Sequence, residues 1–174
     1  MLSEFSHARA YGLAVALQPL GQPRDHANAD VLFKPGWRVG VVDMVLHEVT
    51  RSQTPTSEKL TKWAVQADVD IIPTQTLAVH LKNPLRKAHL GKQAIQETLN
   101  QFALSETPRS AVLLFEDYAI ARNTFFVPPG CQKVSTRAFL TFLQDKGWIA
   151  GASAVERAAV QAGRQFSQLR FPPV

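Results

Sequence analysis

Two adjacent acids, Glu116 and Asp117, follow a five-residue apolar segment, Ala111 to Phe115, and precede a helical stretch that ends at Arg122. The apolar segment is typical of a fully buried strand. In parallel α/β sheets, groups at the carboxyl ends of strands line the ligand crevice. An acid at this place also caps the following helix, because its carboxylate accepts hydrogen bonds from the free N–H groups of the first turn. The residues alone leave both interpretations open, a site carboxylate or a helix cap.

A third acid, Glu48, lies one turn into a predicted helix, Met44 to Arg51. This helix follows a second apolar strand, Trp37 to Val42, and Asp43 between them stands where an N-cap belongs. Glu48 has apolar neighbours in the sequence. It is therefore either a solvated residue on the outer face of the helix or a carboxylate of a functional site.

Positive charge is concentrated between residues 82 and 92. The side chains that can carry it are Lys82, Arg86, Lys87, His89 and Lys92. Such clusters are usually solvated faces, but they also neutralise the phosphates of a bound nucleic acid. The candidates for RNA binding are Arg86, Lys87, His89 and Lys92.

The sequence contains none of the common nucleotide-binding or hydrolase motifs, GxGxxG, GxxxxGK[ST], HExxH or GxSxG. The five histidines do not have the spacing of zinc ligands with the single cysteine, Cys131. Cys131 follows Pro128-Pro129-Gly130 and is predicted to be an inert loop residue. Nucleotide hydrolysis, dinucleotide redox chemistry and zinc chemistry are thus disfavoured.

Short apolar strands alternate with helices along the chain, which predicts a three-layer α/β/α domain with a mainly parallel sheet of about five strands. The predicted strands cover 11–17, 37–42, 69–73, 111–115 and 132–134. Helices are predicted to begin at Thr74, Ser135 and Ser153. Gly147 is predicted to end the helix that Ser135 begins.

Length and composition predict one domain over residues 1–174, with an irregular tail over 168–174. No apolar run approaches the roughly 20 residues that a membrane helix needs. With one cysteine and no clean cleavage site after the N-terminal apolar stretch, we expect a cytoplasmic protein. The net charge of +5 favours an acidic partner, either nucleic acid or an acidic protein.

Three stretches together resemble the PIN-domain family, most closely the toxin-type proteins of bacterial toxin–antitoxin pairs. They are FKPGWRVGVVDMVLHEVTR at 33–51, VLLFEDYAIAR at 112–122 and VSTRAFLTFLQDKGWI at 134–149, within a likeness that extends from Asp30 to Ser167. The resemblance implies a parallel sheet with flanking helices and RNA cleavage that depends on Mg²⁺ or Mn²⁺ at a cluster of three or four acids. It also implies a homodimer and an antitoxin-like protein partner.

Carried onto this sequence, the resemblance gives an incomplete acidic site. Glu48 falls on the family's second acid, and Asp117, or its neighbour Glu116, falls on the fourth. Glu48 and Asp117 are thus the implied metal ligands and catalytic residues, with Glu116 helping. The position of the first acid holds Ala14 or a nearby neutral residue, and Lys92 stands where the third acid is expected. Because hard divalent cations prefer carboxylate oxygens, we expect any Mg²⁺ or Mn²⁺ to bind weakly.

Two main functions are compatible with these residues. One is a PIN-like nuclease whose catalysis is impaired or lost in this chain. The other is a non-catalytic module that binds RNA or a protein through a basic cleft around Arg86, Lys87, His89 and Lys92. A structural role without nucleic-acid contact is a third interpretation. If the first is correct, the carboxylates of Glu48 and Asp117 lie within about 8 Å of each other across one cleft, and Lys92 points into that cleft.

Overall fold

The structure is a computed structural model that describes residues 11–14, 30–51, 55–84, 89–106, 109–115, 118–121 and 125–161. Over these residues the chain is a mixed α/β protein with parallel strands, as the sequence predicts. The predicted site residues Arg86, Lys87, Glu116 and Asp117 lie outside the described residues, as does the tail over 168–174. None of the described helices is long and apolar enough to cross a membrane.

Strands and helices alternate along the described chain. The strands are β1 (Tyr11–Ala14), β2 (Arg38–Val42), β3 (Asp70–Ile72), β4 (Ala111–Phe115) and β5 (Cys131–Ser135). The α-helices are α1 (Asp43–Thr50), α2 (Pro55–Gln66), α3 (Gln75–Lys82), α4 (Leu90–Ala103), α5 (Tyr118–Ala121), α6 (Thr136–Asp145) and α7 (Ala152–Gln161). A short 3₁₀ helix, Val31–Phe33, precedes β2.

The strands are ordered β3-β2-β1-β4-β5, and every neighbouring pair is parallel. Strands β2 and β3 extend the sheet on one side of β1, whereas β4 and β5 extend it on the other. The direction of winding therefore reverses between β1 and β4. In open α/β sheets, ligands bind beyond the carboxyl ends of the strands at such a reversal. The β1 and β4 ends at Ala14 and Phe115 mark this edge.

The hydrophobic core consists of two clusters of buried side chains. Neighbouring residues of β4 belong to different clusters, since Val112 packs in the first and Leu113 in the second. Because successive side chains of a strand point to opposite faces, the two clusters lie on opposite faces of the sheet. Leu143 of α6 is fully buried in the first cluster and Leu99 of α4 in the second.

Local signals in the sequence predict several helix ends correctly. The side chains of Thr74 and Ser135 accept hydrogen bonds from N–H groups in the first turns of α3 and α6. Gly147, at φ +70°, follows α6, and its N–H and that of Trp148 donate to carbonyls of the last turn. These two bonds form the Schellman motif that follows many helices.

The local predictions for Ser153 and Cys131 are wrong. The last helix begins at Ala152, so Ser153 lies inside its first turn and is not the N-cap. The free N–H of Ala152 is satisfied from another helix, because it donates to Oε1 of Gln144 at 2.8 Å. Cys131 is the half-buried first residue of β5 and not a loop residue, since its backbone pairs with Ala111 of β4.

Candidate functional site

Glu48 is half-buried on α1, and its carboxylate faces the start of α4. The N–H of Gly91 donates to Oε1 of Glu48 at 3.1 Å. A Cβ atom at position 91 would lie 2.6 Å from Oε2 of Glu48, so glycine is the residue that permits this close approach. Free N–H groups and the helix dipole stabilise a negative charge at a helix start. Glu48 is therefore not a solvated outer-face residue but a carboxylate in contact with a second helix.

Lys92, the neighbour of Gly91, lies in the first turn of α4 and is half-buried. A cation in a first turn opposes the helix dipole. The first turn of α4 contains no acid of its own. Glu48 supplies the negative charge from α1, which gives its carboxylate a structural role at this helix start.

His89 precedes α4 in the left-handed conformation, at φ +70°, and is exposed. Positive φ is uncommon outside glycine, although histidine tolerates it better than most residues. The carbonyl of His89 accepts a hydrogen bond from the N–H of Gln93 at 3.1 Å. Of the predicted RNA-binding residues, the structure thus places His89 and Lys92 together at the start of α4.

Asp43 joins two connections at the carboxyl edge of the sheet. It is the first residue of α1 and not its N-cap, which is Val42, so the predicted capping role is wrong. Oδ1 of Asp43 accepts from the N–H of Met44 at 2.6 Å and from Oγ1 of Thr74 at 2.7 Å, while Oδ2 accepts from the N–H of Thr74 at 2.8 Å. The carboxylate therefore ties the residue after β2 to the loop after β3.

Glu97 is an acid that the sequence analysis missed. Its Oε1 accepts from the N–H of Gln75 at 2.6 Å, and its Oε2 accepts from the N–H and Oγ1 of Thr76 at 3.0 and 2.8 Å. Glu97 on α4 thus caps the first turn of α3 from outside. No local pattern could have revealed this, because the partners are more than 20 residues apart.

A groove of about 200 Å³ lies between α3 and α4. Its lining residues are Gln75, Thr76, Val79, His80, Asn83, Leu90, Gln93 and Glu97. The His80 ring meets that of His47 on α1 edge-on, with centroids 5.7 Å apart. Nδ1 of His80 is buried and has no hydrogen-bond partner within the described part of the chain. Polar groups and apolar side chains therefore share this groove.

Lys133 on β5 reaches the end of α5, the short helix that follows β4. Its ammonium donates to the carbonyls of Ile120 at 3.1 Å and Ala121 at 3.4 Å. Burial lowers the pKa of Lys133. The last carbonyls of a helix attract a cation, so Lys133 anchors the chain beyond the carboxyl end of β4.

Burial also raises the pKa of the Cys131 thiol, although a hydrogen bond with the backbone of Ala111 opposes this effect. The Cys131 Sγ lies 3.8 Å from the carbonyl oxygen of Arg109. A thiol with a raised pKa is a poor nucleophile at neutral pH, because the thiolate is the reactive form.

The described residues do not fit a divalent-metal site by themselves. They contain no group of three or more His, Cys, Asp or Glu side chains that could hold a metal ion. At the position that the resemblance implies, they bring one carboxylate, Glu48, whose Oε1 already accepts the N–H of Gly91. Lys92 is the next residue along α4. Because Glu116 and Asp117 lie outside the described residues, their distance from Glu48 stays a prediction.

Comparisons of the chain with models of protein families, with curated proteins and with solved structures each find no match. The PIN family therefore stays a prediction that depends on the sequence resemblance.

Proposed function

We propose that this chain is a PIN-like protein, related to metal-dependent endoribonuclease toxins, whose catalysis is impaired or lost. The hydrogen bond from Gly91 to Glu48 carries this proposal. Of the acids that the resemblance implies, Glu48 is the one among the described residues, and this bond holds its carboxylate at the start of α4. Lys92 follows Gly91, at the position where the family has an acid. The chemistry that a bound Mg²⁺ or Mn²⁺ would supply is water activation and stabilisation of charge on phosphate.

The fold proposed here is the family's three-layer α/β/α sandwich around a five-stranded sheet. Its support is the strand order and the two core clusters on opposite faces of the sheet. In such a sandwich, the start of α4 faces the carboxyl edge of the sheet, where the direction of winding reverses between β1 and β4. Glu48 and Lys92 then belong to the crevice where a ligand binds.

The charge of Lys92 is the physical reason for impaired catalysis. Opposite unit charges about 4 Å apart attract by about 4 kcal/mol at an effective dielectric constant near 20. An ammonium group in the crevice neutralises a carboxylate there and repels a divalent cation. A site with two of its four acids replaced therefore holds the metal weakly.

The test is titration calorimetry with Mn²⁺ on the wild type, Lys92→Asp and a matched control, Lys62→Asp. Lys62 is exposed on α2, so its substitution changes the net charge equally at a distant place. We expect no saturable binding at millimolar Mn²⁺ in the wild type and in Lys62→Asp. Lys92→Asp should bind Mn²⁺ at least about tenfold more tightly than the wild type, because it replaces a cation with a carboxylate. A tenfold change in Kd corresponds to about 1.4 kcal/mol.

Saturable Mn²⁺ binding by the wild type that Asp117→Ala abolishes would contradict the loss of the site. RNA cleavage by the wild type, absent in Asp117→Ala, would then show a working nuclease. If Lys92→Asp and Lys62→Asp behave alike, position 92 is not part of a metal site.

The second candidate function is a non-catalytic module that binds RNA or a protein. The observation that favours it is the position of two exposed basic side chains, Lys82 at the end of α3 and His89 at the start of α4. If RNA binds there, its affinity should fall steeply with added salt, because phosphate contacts release counterions. A flat salt response would indicate a protein partner, such as an antitoxin-like protein.

Light scattering of the purified chain would test the homodimer that the resemblance implies.

A further inference from the structure

Two histidines from different helices meet beside the groove between α3 and α4. His47 lies on α1 and His80 on α3, and their ring centroids are 5.7 Å apart. Both side chains are half-buried. The two residues are distant in the sequence, so the histidine spacing that argues against a zinc motif does not reveal them. The fold thus brings together two imidazoles that belong to no sequence motif.

Nδ1 of His80 has a hydrogen-bonding capacity that the fold does not use. The atom is buried and has no hydrogen-bond partner among the residues that the structure describes. Because buried polar atoms in folded proteins are nearly always paired, an unpaired one is a candidate for binding water or an ion. A neutral imidazole nitrogen is also the commonest metal ligand in proteins. Nδ1 of His80 is therefore available as a ligand.

The distance between the two rings suits imidazoles that bind one metal ion. A Zn–N bond of about 2.0–2.1 Å puts the centre of each ring about 3.2 Å from the ion. At a tetrahedral angle the two ring centres are then about 5.2 Å apart, close to the observed 5.7 Å. The rings are inclined by 67°. Rotation about the last side-chain torsion, which is soft in histidine, would direct a nitrogen of each ring to the same point.

The groove gives an ion access and room for water ligands. His80 is one of its lining residues, and its volume of about 200 Å³ is several times the roughly 30 Å³ that one water takes up. Glu97 is the acid among the lining residues, which include no lysine or arginine. The hydrogen bonds that the Glu97 carboxylate accepts from α3 come from neutral groups, so it keeps its charge. The groove therefore favours a cation over an anion.

The donor atoms select the class of metal. Imidazole nitrogens suit Zn²⁺, Cu²⁺ and Ni²⁺, whereas Mg²⁺ and Mn²⁺ prefer oxygen ligands. Over the described ranges, no third histidine, cysteine or acid completes a metal-binding group, so water has to fill the other positions. Such a site is open, unlike the four-ligand sites of structural zinc.

We propose that His47 and His80 form a two-histidine site for Zn²⁺ or another late first-row divalent ion. Nδ1 of His80 and one ring nitrogen of His47 bind the ion, and water fills the remaining positions. The ion links α1 to α3. Its ligands differ from the carboxylates that the family resemblance implies for Mg²⁺ or Mn²⁺, so the inference does not depend on the proposed function.

The experiment is titration calorimetry with Zn²⁺ on the wild type, His47→Gln, His80→Gln and a matched control, His89→Asn. Glutamine keeps a polar side chain and a good helix propensity at both positions. His89 is exposed and has a positive φ, which asparagine tolerates, so the control removes a histidine outside the pair. Without metal, the four proteins should have the same melting temperature, which circular dichroism measures.

We expect the wild type and His89→Asn to have one saturable site of equal affinity. His47→Gln and His80→Gln should each bind at least about tenfold more weakly, since even the loss of an outer-shell partner costs about 10–100-fold in affinity. The ion links two helices that only the folded chain brings together. Saturating Zn²⁺ should therefore raise the melting temperature of the wild type by about 5 °C, and it should not raise that of His47→Gln or His80→Gln.

The absence of saturable Zn²⁺ binding by the wild type would overturn the site, as would equal affinities of the wild type, His47→Gln and His80→Gln. A second measurement on the wild type does not depend on the folding of any variant. The electron paramagnetic resonance spectrum of bound Cu²⁺ should show splitting by two ring nitrogens, because imidazole suits this ion as well. Splitting by one nitrogen or by none would overturn the assignment of both histidines as ligands.

Discussion

Asp43 and Glu48 lie five residues apart on α1, yet their carboxylates have different surroundings. Both oxygens of Asp43 accept hydrogen bonds, three in total from Met44 and Thr74. Glu48 receives a single one, from Gly91, among the residues that the structure describes. A carboxylate whose oxygens are saturated by its own fold has a structural role. One whose second oxygen accepts no hydrogen bond from a described residue, as in Glu48, retains the capacity to bind something else.

The largest effect that this comparison predicts is the loss of stability in Asp43→Ala. The variant leaves the N–H and Oγ1 of Thr74 and the N–H of Met44 without their acceptor. Hydrogen bonds to a charged group contribute about 1.5–3 kcal/mol each, and they are not additive. We expect the free energy of unfolding to fall by about 2–4 kcal/mol in urea denaturation.

The control for this prediction is Asp70→Ala, which removes the ion pair with Arg38. The side chains of that pair are 62% and 41% exposed, so its contribution is screened by solvent. We expect a cost of less than about 1 kcal/mol. If the two variants lose equal stability, the saturated carboxylate of Asp43 has no special structural role.

A second saturated carboxylate extends the comparison to α4. Glu97→Ala removes the acceptors for Gln75 and Thr76 at the start of α3. The loss of a helix cap costs about 0.5–2 kcal/mol, and we expect the upper end of this range because three donors lose their partner. Thermal unfolding would measure this loss of stability.

The control is Glu97→Gln, which keeps one acceptor oxygen, so its stability should lie between those of the wild type and Glu97→Ala. An equal loss in both variants would show that the negative charge of Glu97 is what stabilises α3.

Features that depend on neighbouring residues were predictable from the sequence. The helical spacing of Leu60, Trp63, Ala64 and Ala67 predicts that Trp63 packs in the core. Trp63 is 4% exposed. Thr74, Ser135 and Gly147 begin or end helices as predicted, because their side-chain or backbone chemistry acts within one helical turn. The parallel strands follow from short apolar segments that alternate with helices.

Features that depend on packing between distant segments were not predictable. The capping of α3 by Glu97 requires α3 and α4 to meet, and no spacing in the sequence encodes that contact. The sequence shows Gly91 and Lys92 as a pair that lacks the expected acid. It does not show that Glu48 approaches Gly91 so closely that a Cβ at this position would displace the carboxylate. The hydroxyl of Ser153 suggests a cap, but the acceptor for Ala152 comes from Gln144 on α6.

The smallest predicted effects concern Glu48 and Gly91, and a double-mutant cycle measures them. Glu48→Ala removes one hydrogen bond at a helix start, so the free energy of unfolding should fall by about 1 kcal/mol. Gly91→Ala should cost a similar amount, because its Cβ, 2.6 Å from Oε2, displaces the same carboxylate. The better helix propensity of alanine offsets part of this loss.

In the double variant the carboxylate is already absent, so the alanine at position 91 no longer displaces it. The two changes should therefore destabilise the protein by about 1 kcal/mol less than the sum of the single variants, well beyond the roughly 0.3–0.5 kcal/mol scatter of independent sites. Additive effects would mean that Glu48 does not hold the start of α4. Asp43 would then be a structural carboxylate and Glu48 a solvated one, and Glu48 would have no energetic link to the candidate site at the start of α4.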